Sequence, residues 1–395
     1  MVPAVLALSR TTTNNAGVRP VLTIVGSSAR AAAFSAARSG FFVHAGDLFA
    51  DADLRHVAET TRIGDYPSGL GRVIAGPQAG GWIYTGALEN QPELVDAWAR
   101  RRPLLGNPGS VLRGVRDPQQ LAGVFARHGL SFPAISCRAD DLPRDGSWLR
   151  KPLQSAAGAG IHPWRGVAHD PRDGYFQQRV DGVSYSGAYL ANGSRAVLLG
   201  ITEQLVGSEW TGASGFRYCG SLGPAAHSDQ VMEDFRRIGL ALATEFGLRG
   251  LFGVDAIVNA NGVWPVEVNP RYTASLEVLE RAFSLSTIAL HVEACLSGGL
   301  PDEAARRGRD EPSGKAIVYA ERRLRVEGDW LKRAGLRRDN AWPQVADIPE
   351  PGSIVDAGWP IATVLAAGHD TEEVRRLLRE RAAQLRAECS ALEVN

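Results

Sequence analysis

Residues 253–272 read GVDAIVNANGVWPVEVNPRY. Two β-rich runs flank a turn at ANG (260–262), which predicts an antiparallel hairpin. A three-residue loop Ala260–Gly262, with Gly262 in the left-handed region, sets residue 259 opposite 263 and therefore Asp255 opposite Glu267. Side chains alternate faces along a strand, so Asn269 and, if the strand continues, Arg271 share that face. A two-residue Asn261–Gly262 turn breaks this register. Carboxylates directly opposite each other repel, and a hard divalent cation with oxygen ligands relieves them. Mg²⁺ takes one or two carboxylates together with substrate phosphates and water. Asn269 adds an oxygen, and Arg271 offers a cation to an anion beside the metal. The competing reading is a solvated hairpin whose acids pair with nearby arginines.

A second constellation weakens that competitor. RKPLQSAAGAGI (150–161) places Lys151 at the end of a strand, ahead of a loop of small residues. The ammonium is a point charge for phosphate, and Gly158 and Gly160 let backbone N–H groups approach its oxygens. This is not the GxxxxGK[ST] loop, whose Lys follows the glycines and opens a helix. Here the Lys comes first and strands flank the loop.

The rest of the chain frames these two pieces. Its 395 residues exceed one ordinary core and predict two to four lobes. With 44% apolar and 22% charged residues the composition is that of a globular protein. Net charge is zero, so no global field recruits nucleic acid or an anionic membrane, and any anion is held locally. There are three lysines (Lys151, Lys315, Lys332) among forty arginines, which makes each Lys conspicuous. Cys137, Cys219, Cys295 and Cys389 show no CxxC or zinc spacing and predict reduced thiols. The N-terminal run lacks a preceding positive charge, and no apolar run spans a bilayer. We therefore expect a soluble, cytoplasmic protein. Residues 19–54 read strand, Gly turn, Ala-rich helix, strand, a βαβ opening in which GSSARAAA is not GxGxxG. Residues 81–101 read strand then helix, and their connecting loop exposes Glu89 and Asn90 to a substrate or to a helix cap. Asp117 before Pro118 suits an N-cap followed by Pro at the first helical turn. Helices are predicted over 228–250, 275–299 and 371–392.

Together these segments resemble the ATP-grasp superfamily. Lys151 and the loop 154–160 look like its lid strand and phosphate-covering loop, and YFQQRVDG (175–182) like its hinge. The resemblance implies that Gln177, Gln178 and Val180 hold adenine, with Asp181 at the ribose. It implies Mg²⁺, or Mn²⁺ in its place, on Asp255, Glu267 and Asn269. The form Glu267-Val-Asn269-Pro-Arg271 most resembles the carboxylase-like branch that includes biotin carboxylase. IYTGALEN, LLGNPGSVLRGVRDP and LGITEQLVG resemble an ATP-grasp carboligase group found in organisms that use tetrahydromethanopterin and methanofuran, which points to building such a carrier. The implied fold is α/β (α+β). Its parts are an extension (1–19), a Rossmann-like pre-ATP-grasp lobe (20–105), an ATP-grasp domain (106–300, lid about 147–185) and a small β-rich C-terminal domain (301–395). Two departures stand out. Many relatives carry an Asp-Lys pair before the lid, whereas Asp117 is followed here by Pro118, leaving Arg113 or Arg116 to substitute. There is also no biotin-attachment motif.

The implied chemistry is phosphoryl transfer from ATP to a small-molecule carboxylate, giving an acyl phosphate that an amine or similar nucleophile attacks. Such transfer needs positioning and charge neutralisation. Lys151 neutralises phosphate, Arg271 stabilises the transferring group or orients the carboxylate, and Arg217 in GASGFRYCGSLGP contacts a substrate anion or forms a structural ion pair. Glu89 and Asn90 remain candidates for substrate contact. Cys219 reads as an inert buried thiol, and His162 as a surface or core residue. The alternatives are a biotin-carboxylase-like reaction on bicarbonate, a nicotinamide-dependent oxidoreductase, and an ATP-binding module without catalysis. Dimers are common on this scaffold, so a homodimer is expected.

Overall fold

Strands that must be buried on both faces are continuous apolar runs, and VLTIVG is one. In the computed structural model, which describes residues 19–166, 174–302, 311–328, 330 and 342–390, this run forms β1 (Val21–Gly26). It pairs in parallel with β2 (Phe42–Asp47), and β3 (Glu59–Arg62) and β4 (Trp82–Tyr84) complete the order β3-β2-β1-β4. The crossover helix Arg30–Arg38 lies close because Ala32, Ala33 and Ala36 are fully buried. The βαβ opening expected over 19–54 is therefore present. The N-terminal extension lies almost wholly outside the described residues, as does Lys332.

A second, small antiparallel sheet follows. It contains β5 (Ile135–Ser136), β6 (Trp148–Pro152), β7 (His162–Pro163) and β8 (Gly174–Gln178), in the order β5-β8-β6-β7. Ahead of it, Asp117 accepts hydrogen bonds from the backbone N–H of Gln119 and Gln120 and so caps the helix Pro118–Arg127.

The central sheet is larger. Its strands are β9 (Val183–Asn192), β10 (Ala196–Val206), β11 (Tyr218–Gly223), β12 (Arg249–Asn259) and β13 (Gly262–Asn269), joined by β14 (Ser313–Tyr319). A side ribbon pairs β15 (Leu324–Arg325) with β17 (Ile354–Val355), while β16 (Val345–Ala346) and β18 (Pro360–Ala367) return to the main sheet. The order β13-β12-β9-β10-β11-β14-β18-β16 carries the C-terminal strands into the same sheet. Its core includes Tyr189 stacked on Phe252, with ring centroids 4.7 Å apart. The helix Asp229–Phe246 begins at Ser228, whose hydroxyl accepts from Val231 N–H, and buries Phe235, Ile238 and Leu242. Residues 275–299, expected as one helix, form two, Ala274–Phe283 and Thr287–Leu296. The break falls at Ser284, whose φ of 54° ends helical hydrogen bonding. The terminal helix Thr371–Ser390 covers β14 and β18.

The hairpin departs from expectation in an instructive way. Its loop has two residues, Ala260 and Asn261, so Asn259 pairs with Gly262 and Ala256 with Pro265. A β-bulge then takes up one residue, Val266, and Asp255 returns to pair with Glu267. The expected facing pair is present, reached by a shorter loop and a bulge in place of a three-residue loop.

Candidate active site

The bulge has a chemical use. A bulged residue leaves the ladder, so its carbonyl is free to accept elsewhere. Lys151, at the end of β6 and buried, donates from Nζ to the Val266 carbonyl and to Gln177 Oε1, both at 3.0 Å. The lid lysine is thereby held one residue from Glu267. Lys151, Asp255, Glu267, Asn269 and Arg271 line one cavity of about 890 Å³ where the three sheets meet.

Its floor is a charge network. Arg116 Nη1 donates to Glu267 Oε1 at 2.5 Å, and Arg271 Nη2 donates to Glu89 Oε1 at 2.6 Å. Burial opposes ionisation of Glu267, yet the charges of Arg116 and Lys151 outweigh it and hold the carboxyl below its ordinary range. Asp255 goes the other way. Burial, and next the Glu267 charge, push it up to about 6. The two acids are thus pushed apart as a pair sharing one field would be.

The donor set suits the divalent cation the hairpin implies. Two carboxylates face each other with their repulsion still expressed in the raised Asp255 pKa. Among the described residues no cluster of three or more His, Cys, Asp or Glu side chains converges on a point, which disfavours a zinc-type cage. Two carboxylates with room for phosphate oxygens fit Mg²⁺. Asn269 fits less directly. Its Nδ2 donates to Asp255 Oδ2 at 3.1 Å, and its Oδ1 accepts from Arg271 Nη2 at 3.2 Å, so the amide oxygen is already engaged.

The lid loop is clasped from both sides. Asn90 Nδ2 donates to the Ser155 carbonyl at 3.1 Å, and Arg116 reaches the same oxygen at 3.5 Å. On the other side Tyr218 N–H donates to the Ala157 carbonyl at 3.1 Å. Gly158 has φ 76°, and a Cβ there would meet the Phe216 carbonyl oxygen at 1.9 Å, so only glycine lets the loop lie this close. Gly160 is also left-handed, at φ 74°.

Other expected residues fall in different places. Gln177 lines the cavity, buried beside Lys151, and its Nε2 has no partner among the described residues. Gln178, Val180 and Asp181 line the same cavity, with Asp181 ion-paired to Arg179 at 3.3 Å. Arg217 also lines it, but its guanidinium donates to the Gly358 carbonyl at 2.5 Å and covers the Tyr319 ring, which is a tertiary tie. Cys219 is fully buried with its thiol toward the Leu205 carbonyl, and all four cysteines are free. Exposed His162 hydrogen-bonds the nearby Gly160 carbonyl. Arg113 pairs with Glu93 and Asp96 at the surface, so of the two arginines weighed as a substitute only Arg116 enters the site. The sequence reading missed a second ionic group on the cavity wall, Arg30, Lys315 and Asp347. Its one available signal was Lys315, a rare lysine in an arginine-rich chain.

Residues 116–275 match a family described as the ATP-grasp domain. Among curated proteins, the formate-dependent phosphoribosylglycinamide formyltransferase of Azoarcus sp. (strain BH72) is 29% identical over 226 residues, covering 55% of this chain and 52% of the relative. The chain therefore aligns with about half the length of that relative. Among solved structures, the L-amino acid ligase from Bacillus licheniformis superposes with TM-score 0.66 at 16% identity, over 93% of this chain and 98% of that one. Biotin carboxylase from Campylobacter jejuni superposes with TM-score 0.67 at 12% identity, over 92% and 94%. The chain has the ATP-grasp fold and carries an ATP-grasp domain over 116–275. No helix among the described residues is long and apolar enough to cross a membrane.

Proposed function

We propose that this protein is an ADP-forming ligase that uses Mg²⁺ and ATP to activate a carboxylate as an acyl phosphate, which an amine or similar nucleophile then attacks. The observation that carries the proposal is the bulge contact, which joins the lid cation Lys151 to the carboxylate pair Asp255/Glu267 in one cavity. A module that only binds nucleotide has no need of two facing acids, three cations and a clasped loop together. Asp255 and Glu267 would hold the metal, which supplies charge neutralisation at the β- and γ-phosphates; Mn²⁺ is an alternative occupant. Lys151 and Arg116 neutralise phosphate, Arg271 orients the reacting carboxylate, and the loop over Gly158 excludes water. In this reading Gln177, Gln178 and Val180 meet adenine and Asp181 the ribose, which is supported by their all lining the cavity. The reading is further supported by the relatives' name, which makes formate the first acid to test. In this reading the ligase builds a one-carbon carrier of the tetrahydromethanopterin or methanofuran type and works as a homodimer, as the sequence resemblance implies, in the cytoplasm, as the cysteine spacing and the lack of a bilayer-spanning run suggest.

The test is Mg²⁺- and ATP-dependent ADP release across a panel of carboxylic acids, with hydroxylamine as the nucleophile. Acid-dependent ADP release with hydroxamate formation supports the ligase. Release triggered by bicarbonate alone would favour the biotin-carboxylase-like reaction. ATP binding with no turnover across the panel would favour a binding module.

Lys151→Ala should weaken ATP binding about tenfold or more, because a buried point charge at phosphate is lost. Calorimetric titration with ATP checks it, and an unchanged affinity removes Lys151 from the site. A pH effect follows from Asp255. Its pKa of about 6 lies above the ordinary range, so its ionisation costs the metal-free fold stability as pH rises through that value. Metal needs the ionised form and reverses the sign. The Mg²⁺ concentration for half-maximal ADP release should therefore rise about fourfold between pH 7.5 and pH 5.5. A flat Mg²⁺ requirement over that window would remove Asp255 from the donor set.

A further inference from the structure

Resting on the ligase reading, we infer that one of the two substrates carries an oxyanion besides its reacting group, and that Arg217 holds that oxyanion at the edge of the lid loop. Charge is the first reason. Among the cations that line the cavity, Arg30, Arg179, Arg271 and Lys315 are each ion-paired with a carboxylate. Lys151 is held by Gln177 and the Val266 carbonyl, one residue from Glu267. Arg217 is the one lining guanidinium with no carboxylate partner among the described residues. It is half-buried, and a charge drawn out of water without a counterion is held at a cost that an arriving anion removes.

The contacts Arg217 does make leave that charge unused. Its Nη1 donates to the Gly358 carbonyl at 2.5 Å, a bond that a neutral amide could also make. Its flat face covers the Tyr319 ring, with the guanidinium carbon 4.9 Å from the ring centroid. A guanidinium carries five N–H donors around its edge, and Gly358 takes one. The others bond no described residue, and their planar fork matches a carboxylate or a phosphate. The backbone is pinned as well. Arg217 N–H donates to the Ser214 carbonyl at 3.2 Å, and its carbonyl accepts from Gly207 N–H at 2.8 Å. With main chain and side chain both fixed in advance, little freedom is lost when an anion binds.

Position sets this oxyanion apart from the carboxylate that Arg271 orients. Asp255 and Glu267 lie on β12 and β13, whereas Arg217 immediately precedes β11. Strands β9 and β10 separate β11 from β12, which at about 4.8 Å per strand puts Arg217 ~14 Å across the sheet from the acids. The tie to Gly358, just ahead of β18, draws the guanidinium further the same way. Its chain neighbours nevertheless touch the lid. Tyr218 N–H donates to the Ala157 carbonyl, and the Phe216 carbonyl occupies the space beside Gly158. The loop that shields the phosphates therefore also borders this second anion. The substrate class is an acid with a further carboxylate or phosphate, or an amine that bears one, as an amino acid does.

The test is calorimetric titration of the full chain, loaded with Mg²⁺ and the non-hydrolysable ATP analogue AMPPNP, with succinate and separately with inorganic phosphate. The analogue fills the nucleotide phosphate positions, so a bound probe reports another site. At least one probe should bind with Kd below about 5 mM, and the tighter of the two identifies carboxylate or phosphate as the oxyanion. Arg217→Gln, which keeps an N–H donor for Gly358 but loses the charge, should weaken that probe about tenfold or more. Arg217→Lys, which keeps the charge but loses the fork, should fall between. ATP affinity of both variants should stay within about twofold of the parent, which also confirms that they are folded. Failure of both probes to bind, parent-like probe affinity in Arg217→Gln, or a tenfold loss of ATP affinity there would each overturn the inference. Because this readout needs no turnover, its failure is distinct from failure of the ligase reading, which the hydroxamate assay reports.

Discussion

Glu267→Gln should lower turnover about a thousandfold, equivalent to ~4 kcal/mol of transition-state stabilisation, while the protein stays folded. Gln is nearly isosteric and its amide oxygen can still accept from Arg116, so packing is retained. What disappears is the negative charge that faces Asp255 and offsets Arg116 and Lys151. Three cations then stand around one buried carboxylate. Nucleotide phosphates should bind as well as before or better, but without a metal held in register for transfer. The signature is therefore a large fall in kcat with ATP affinity preserved, read by ADP release and by calorimetry on the same preparation. Near-normal turnover would remove Glu267 from the metal site and return the hairpin to a solvated ion-pair role. The variant should also lower the Asp255 pKa, since the Glu267 charge is the second cause of its elevation after burial.

Arg30→Ala should cost about 3–5 kcal/mol of stability, the scale for removing one partner of a buried ion pair. Arg30 is 1% exposed and joins the first crossover helix to Glu277 on the helix Ala274–Phe283 and to Asp347 before the last strands. Burial opposes ionisation of Glu277, but Arg30 and then Lys315 hold it well below its ordinary range, so in the parent its contribution survives into strong acid. Without Arg30 the buried Glu277 keeps only Lys315, and its folded pKa rises. The sign of its pH dependence then moves toward reversal, and the stability gap between parent and variant should narrow as pH falls from 7 to 4. Urea unfolding at several pH values measures both effects. A gap that is small, or constant with pH, would show that the network contributes packing alone. Arg30→Lys, which keeps a charge but loses the fork, should fall between the two.

Local chemistry explains which parts of the site were legible from sequence. The strand-then-small-loop pattern around Lys151 and the alternation around Asp255 and Glu267 are short-range signals, since each follows from side-chain period and turn composition. The hairpin shows the limit of that reasoning. Spacing predicts the facing of Asp255 and Glu267 but through a three-residue loop, because a two-residue turn and the bulge at Val266 offset each other in register. Sequence periodicity reports the sum of such irregularities and cannot locate them. The bulge matters, since it is what frees the carbonyl that Lys151 takes. The expected helix over 275–299 failed for a related reason. Its apolar spacing continues through Ser284, where the backbone turns left-handed.

By itself, then, the sequence determined the βαβ opening, the glycine loop and the facing acids. These rest on contacts between residues close in the chain, where spacing alone dictates geometry. Tertiary structure decided which cations serve the acids and what closes the far end of the cavity. Arg116 reaches Glu267 across 151 positions, Arg30 reaches Asp347 across 317, and Asn90 clasps the lid at Ser155 across 65. Among forty arginines the sequence narrows the substitute cation to Arg113 or Arg116, and folding selects Arg116 and adds Arg30, which no local pattern marks. Coulomb attraction falls with distance in space, and distance in space between such residues is set by how the sheets pack and not by the order of the chain.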